Sequence, residues 1–261
     1  MACLAASAVL AADAVRPAIT AIHPGTDRLP ANHLKFYIHF SQPMQQGVFL
    51  RHCALLDQNG KPVVEPFRET ELWSADRKRL TLWLHPGRQK TGVNLNDEFG
   101  PVLQPDRRYT LVISGEWLSD EGTPLGAAVR KHFTAVDRVT AQLDVSAWQL
   151  TAPAAGTSSP LEVRFPAPLD HALIERSLRV TDSKGAPVAG EGHATNHDHG
   201  WRFTPDRPWA DTAHQLLADA VLEDLAGNSL ARPFEVDLQG PAPKPAPAVI
   251  TIPFSPVHQN R

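Results

Sequence analysis

The 261-residue chain has little of what most functional classes require. Its two cysteines are Cys3 and Cys53, and removal of a leader carrying Cys3 leaves Cys53 alone. No intrachain disulfide is then expected, and stability must come from packed cores. Lys and Arg form no block: 25 basic and 28 acidic residues are spread along the chain for a net charge of −3. That distribution offers no phosphate-binding stripe and argues against a nucleic-acid partner. No apolar run reaches the roughly 18 residues of a membrane span, so none is expected. A G-x-S-x-G elbow, an H-E-x-x-H helix, a P-loop and a dinucleotide fingerprint are all missing, and no Ser, His and Asp order nominates a triad. No enzyme is expected on these grounds. The acidic turns at Asp120–Glu121 and Glu223–Asp224 lack the alternating oxygen ligands of an EF-hand-type calcium loop, which leaves turn capping as their role.

Proline and glycine are abundant instead. The 24 prolines and 16 glycines fall between short apolar runs, the punctuation of many short strands rather than of long helices. The pattern is also stated twice. Phe40, Pro43, Asp57, Gly60, Pro62 and Val63 recur as Phe165, Pro168, Asp182, Gly185, Pro187 and Val188, at a constant offset of 125. A repeated unit of this size that carries turn signals points to tandem β modules.

Strand parity can be read within each copy. In LKFYIHF, Leu34, Phe36, Ile38 and Phe40 alternate with Lys35, Tyr37 and His39. The first set is expected in a core, the second toward solvent or the neighbouring domain. Leu161, Val163 and Phe165 repeat the inward set, with Glu162 and Arg164 outward. Both strands end at prolines, Pro43 and Pro168, which cannot donate to a ladder. Each copy then enters an Asp-x-x-Gly turn, where the Asp side chain caps and Gly supplies positive φ. Cys53, in HCALLD, reads as a small buried residue of a core strand.

The segments FSQPM (40–44), DQNGKPV (57–63), RRYTLVI (107–113), SDEGTPL (119–125), DSKGAPV (182–188) and EDLAGNSL (223–230) resemble bacterial Ig-like domains of the surface-layer-protein type. The resemblance covers about residues 18–137 and 145–238. It implies an all-β fold of two tandem Ig-like antiparallel β-sandwiches used as an extracytoplasmic spacer, scaffold or binding module, and it brings no catalytic residues. The expected organisation is a signal-peptide remnant (1–14), a first Ig-like domain (15–137), a linker (138–146), a second domain (147–238) and a Pro-rich tail (239–261). The first domain departs from the pattern by a longer segment at 87–108 and by a turn without the usual Asn. A last strand is expected at Phe234–Leu238 in the second.

Residues 2–12 are small and apolar, with small residues at the −3 and −1 positions of cleavage points after Ala11, Ala12 or Ala14. They read as the end of an export signal without its basic region. Cys3 is followed by an apolar stretch rather than by the polar tether of an acylated cysteine. A periplasmic or secreted location, envelope-associated, is therefore expected. The tail GPAPKPAP (240–247) is a polyproline-type linker. It leads to VITIPFSPV (249–257), read as disordered or loosely packed, with addition to a sheet edge as the alternative.

Three groups are candidate sites. The 87–108 insertion, expected as a surface loop, carries Arg88, Lys90, Asn96, Asp97 and Glu98 and suits a protein or envelope partner. The hairpin HATNHDH places His193, His197, Asp198 and His199 within seven residues, which could supply ligands for Zn²⁺ or Cu²⁺; no other cofactor is expected. Trp83, on the outward parity of its strand, is the candidate stacking platform for carbohydrate, while Trp201 is expected in the core. His23, His33, His39, His52, His85 and His132 do not converge by spacing and are expected in structural roles.

Overall fold

The computed structural model describes residues 15–89, 94–235 and 247–258; residues 1–14, most of the Pro-rich linker and Lys90 lie outside them. The first half contains eight strands: β1 (Ile19–His23), β2 (Arg28–Pro30), β3 (Lys35–Phe40), β4 (Cys53–Leu56), β5 (Leu72–Trp73), β6 (Arg79–Trp83), β7 (Arg108–Ile113) and β8 (Val129–Val136). They form two four-stranded sheets, ordered β1-β3-β6-β5 and β2-β8-β7-β4. Three short helices join them: α1 (Phe49–His52), α2 (Pro86–Gln89) and α3 (Asn94–Phe99). The sheets are antiparallel except at β2, which runs parallel to β8 with Arg28 opposite Thr134. The fold is the expected antiparallel β-sandwich with this one parallel pair at its edge. β2 is reached by a switch between sheets at Pro24 and Gly25 rather than by a hairpin, so nothing forces it to run against β8.

The second half repeats the plan with β9 (Gln149–Thr151), β10 (Leu161–Arg164), α4 (His171–Ser177), β11 (Leu178–Asp182), β12 (Gly190–Thr195), β13 (Gly200–Pro205), β14 (His214–Asp219) and β15 (Val249–Phe254). The sheets are ordered β12-β13-β10-β9 and β11-β14-β15. The sequence repeat is a structural one. The bridge Leu56↔Pro62 recurs as Thr181↔Pro187, and Met44↔Ser119 recurs as Leu169↔Asp224. In both Asp-x-x-Gly turns the Asp Oδ1 accepts two backbone N–H bonds, from Asn59 and Lys61 and from Lys184 and Ala186. Gly60 and Gly185 take φ of 77° and 83°, a region that glycine enters without steric cost.

Hydrophobic burial follows the parity read from the sequence. One cluster gathers Phe36, Ile38, Phe40, Leu80, Leu82, Leu111, Trp117 and Phe133, with Phe40 edge-on to Trp117 at 5.4 Å between centroids. The other gathers Leu161, Val163, Phe165, Val180, Trp201, Phe203 and Leu216, with Trp148 edge-on to Phe165 at 4.8 Å. Such edge-to-face pairs add to the area term that dominates each core. Cys53 is free and buried, as expected, and burial pushes its thiol pKa up.

Four expectations need correction. The sheet of the second half is completed by β15, not by Phe234–Leu238: Val249–Phe254 pairs along all of β14, and Ile250, Ile252 and Phe254 pack on the core. Phe234 instead lies in a bend, its N–H bonded to Asn228 Oδ1, and residues 236–238 lie outside the described ones. The tail run at 249–254 is thus an edge strand, the sheet-edge alternative, rather than loosely packed; Pro253 is tolerated because, among the described residues, β15 is paired on one side only. The 87–108 insertion is not simply a surface loop, because Val102 and Leu103 are buried in the first core. The 138–146 segment is also no free linker: Val139 exchanges hydrogen bonds with Asn32, and Asn228 Nδ2 donates to the Val139 carbonyl.

Candidate functional site

The face of β3 turned away from the first core is covered by the second half. Lys35 is 8% exposed although its parity is outward. Its Nζ lies 2.8 Å from Asp170 Oδ2 and 3.2 Å from Glu223 Oε2. The Tyr37 hydroxyl donates to the same Asp170 carboxylate from 2.9 Å. Asp170 has a second task, since it caps α4 by accepting from Leu173 N–H. Burial and the adjacent Asp170 charge push the Tyr37 pKa up, so the phenol stays a donor. Beside this network the turn EDLAGNSL reaches across: Leu225 is 6% exposed and belongs to the first half's core. Its carbonyl accepts from Leu34 N–H at 3.0 Å and lies 3.2 Å from His33 Nδ1. Burial holds His33 neutral, with its pKa lowered to about 3.

Further along β3 three imidazoles meet. His23 ends β1, His39 is on β3 and His171 opens α4; one ring nitrogen from each lies within 4.8 Å of the other two. His23 and His171 stack with centroids 3.4 Å apart and planes at 10°, and His39 stands edge-on to His23 at 5.5 Å. Asp198, only 2% exposed, completes the group. Its Oδ1 is 2.8 Å from His171 Nδ1, and its Oδ2 is 3.5 Å from His23 Nδ1. Burial alone would raise the Asp198 pKa, but the interactions with His171 and His23 outweigh it and hold the carboxyl well below its usual range. For His39, burial first and then the neighbouring imidazoles lower the pKa to about 4. At neutral pH His39 is therefore an uncharged nitrogen donor.

The hairpin delivers Asp198 to this place at a local cost. Asn196, His197 and Asp198 all take positive φ, 51°, 53° and 70°, a left-handed run that L-residues rarely adopt in succession. The other hairpin candidates point elsewhere. His193 is exposed, 3.5 Å from Glu191; His197 Nδ1 packs on Gly25, where an added Cβ would come within 2.6 Å of it; His199 lines a surface cleft beside Arg164 and Trp201. Of the four, Asp198 alone joins the three imidazoles. His23 and His39, expected in separate structural roles, converge instead.

The remaining candidates are placed as follows. Arg88 is 5% exposed, and its guanidinium donates to the carbonyls of Gly100, Glu65, Phe99 and Val64. Asn96 Nδ2 donates to the Arg88 carbonyl. Both side chains therefore fold the insertion onto the sandwich. Glu98 is exposed, and Lys90 and the side chain of Asp97 lie outside the described residues. Trp83 is half-buried with Lys35 Nζ 5.0 Å from its ring centroid, which occupies one face of the ring. Trp201 is buried in the second core. A separate polar cleft of about 490 Å³ lies on the first half, lined by Asp57, Arg108, Thr110, Arg130 and His132.

No protein-family model matches the sequence, and no curated protein does. Among solved structures, domains 1–6 of the surface-layer protein SbsC are similar at a TM-score of 0.34 and 12% identity, covering 78% of this chain and 24% of that one. Native alpha-2-macroglobulin from Escherichia coli spanning domains MG0-NIE-MG1 is similar at 0.31 and 9%, covering 93% of this chain and 72% of that one. The N-terminal four Ig domains of Dscam1 isoform 6.9 are similar at 0.25 and 11%, covering 81% and 48%. These likenesses are loose, and the chain spans about a quarter of the SbsC chain. Among the described residues, no helix is long and apolar enough to cross a membrane.

Proposed function

We propose that this chain is a non-enzymatic, exported structural or interaction module of the bacterial cell envelope, in which two Ig-like sandwiches act as one joined unit. The observation that carries the reading is the buried joint. Lys35, Tyr37, Asp170 and Glu223 spend their polar groups on one another across the two halves, and Leu225 fills a place in the other half's core. Residues so engaged hold geometry rather than turn over a substrate. A spacer or scaffold needs that property, because two flexibly tethered sandwiches would neither fix a distance nor present one continuous surface. The leader-like residues 2–12 agree with export.

Two measurements test this. Fractionation of the native host should recover the chain outside the cytoplasm, and cytoplasmic recovery would overturn the exported reading. Small-angle X-ray scattering of the full chain should fit a single rigid shape. A scattering curve that requires an ensemble of inter-sandwich orientations would overturn the joined-unit reading.

A further inference from the structure

We infer that His23, His39 and His171 form a binding site for one late first-row divalent ion of the Zn²⁺, Ni²⁺ or Cu²⁺ class, and that the ion bridges the two halves of the protein. The claim goes beyond the envelope role and stands or falls without it. One nitrogen from each ring already lies within 4.8 Å of the others. Around an ion with nitrogens at about 2.0–2.1 Å, tetrahedral ligands sit roughly 3.3 Å apart. Closing the set therefore takes about 1.5 Å between nitrogens and a rotation of His23 and His171 out of their stack, so that both in-plane lone pairs meet one ion, changes within reach of side-chain torsions.

A second, independent observation points to a missing ligand. His39 Nε2 is buried without a hydrogen-bond partner, and His23 Nδ1 and Asp198 Oδ2, equally buried, have only a long 3.5 Å contact with each other. Each is costly to leave so, and the three lie in one place. A water can satisfy one or two of them, whereas a cation suits imidazole nitrogens and a carboxylate together. Asp198 also fits the part that carboxylates play beside metal-bound imidazoles. Its Oδ1 accepts from His171 Nδ1 at 2.8 Å, which fixes the tautomer with its lone pair on Nε2, free for an ion.

Three nitrogen donors select the late transition metals over Ca²⁺ and Mg²⁺, which take oxygen. The surrounding charges tolerate a cation. Asp198 and Asp76 bring negative charge to the group, Arg79 and Lys131 positive. Lys131 is committed to the Thr26 carbonyl at 3.0 Å, and Arg79 lies over the Tyr37 ring at 5.6 Å. His23 and His39 belong to the first half and His171 and Asp198 to the second, so an ion here ties the two sandwiches together.

The test is isothermal titration of ZnCl₂ into the full chain after removal of metal with a chelator. Wild type is expected to bind one Zn²⁺ saturably and to melt at a higher temperature when loaded. His39→Gln and His171→Gln should abolish stoichiometric binding, and Asp198→Asn should weaken it about 10–100-fold. A triple His193→Ala, His197→Ala, His199→Ala variant should bind as wild type does. Circular dichroism of the metal-free variants checks that they fold. Independently of any variant, Co²⁺ added to wild type should give the intense visible bands of a nitrogen-rich site of low coordination number. The inference is overturned if wild type binds no Zn²⁺ saturably, if folded His39→Gln and His171→Gln retain binding, if the hairpin triple variant alone loses it, or if Co²⁺ shows only its hydrated spectrum.

Discussion

The Tyr37 hydroxyl sits 2.9 Å from both carboxylate oxygens of Asp170, so that one outward residue of β3 reads the N-cap of α4 across the joint. Lys35 reaches the same carboxylate from two residues away. Alternation along a strand thus places a donor and a cation on one acid, and changing the acid strands the phenol and leaves Lys35 to Glu223.

Tyr37→Phe removes one hydrogen bond to a charged acceptor and should cost about 1.5–3 kcal/mol. Asp170→Ala leaves the buried Lys35 ammonium with Glu223 alone, strands the Tyr37 hydroxyl and uncaps α4, and should cost more, about 3–5 kcal/mol. Urea denaturation of the two variants checks the order; equal losses would show that Glu223 alone holds the Lys35 ammonium.

Core identity follows parity in both halves. Phe40→Ala and Phe165→Ala should each destabilise by about 3–5 kcal/mol, because both side chains are buried against tryptophans. Arg164→Ala, on the exposed face of β10, should stay within about 0.5 kcal/mol. Denaturant titrations that rank Arg164→Ala with the phenylalanines would contradict the register.

The repeat, the inward set and the Asp-x-x-Gly turns were legible because they are local: period-two alternation and turn chemistry operate within a few residues. Lys35, Tyr37 and His39 were legible as outward, but parity cannot say whether an outward face meets water or another domain. The imidazole group was not legible. His23, His39 and His171 are separated by crossovers and a domain repeat, and the dense hairpin motif drew attention to histidines of which none joins the group. The one shared residue, Asp198, gets there through three successive left-handed residues; Asn, His and Asp each enter that region more readily than other side chains, but single-residue propensity does not foretell a run of three. β15 is legible only as the alternative, addition to a sheet edge, because the expected last strand at Phe234–Leu238 filled its place in the count, while the prolines before it read as a tail. Arg88 looked like a surface ligand, since only the folded insertion shows its donors facing carbonyls.

Gly227 takes φ of 83°, and a Cβ there would lie 2.5 Å from Leu34 Cδ1. Gly185 has the same φ with open space around it. Gly185→Ala should therefore cost about 1–2 kcal/mol for the left-handed backbone alone, and Gly227→Ala should cost about 1–3 kcal/mol more for the clash at the joint. Thermal melts compare them directly, and equal losses would mean that Leu34 yields freely.

Deleting residues 248–261 should expose the edge of β14 and the core surface that Ile250, Ile252 and Phe254 cover. With these side chains partly buried, the loss should be about 2–5 kcal/mol, accompanied by aggregation through the bared edge. Light scattering and melting of the shortened chain test this, and a monomer of unchanged stability would argue that β15 contributes no packing.

Acid should loosen the joint before it protonates carboxylates. His33 is fully buried and holds a folded-state pKa of about 3, lowered by burial, against about 6.5 in the unfolded chain. Between these values the unfolded state binds the extra proton, so stability is full above pH 6.5 and falls as pH drops toward 3. For this residue alone the loss between pH 7 and pH 5 should be about 2 kcal/mol. His39, with its pKa lowered to about 4, acts in the same direction, discounted for its partial exposure. His33→Asn removes the titrating group while leaving an amide to face the Leu225 carbonyl. The variant should be less stable at pH 7 yet lose about 2 kcal/mol less than wild type on going to pH 5. Urea titrations at the two pH values read the slope separately from the absolute stability. Parallel slopes for variant and wild type would mean that His33 is charged within the fold, which its burial and its contact with the Leu225 carbonyl argue against.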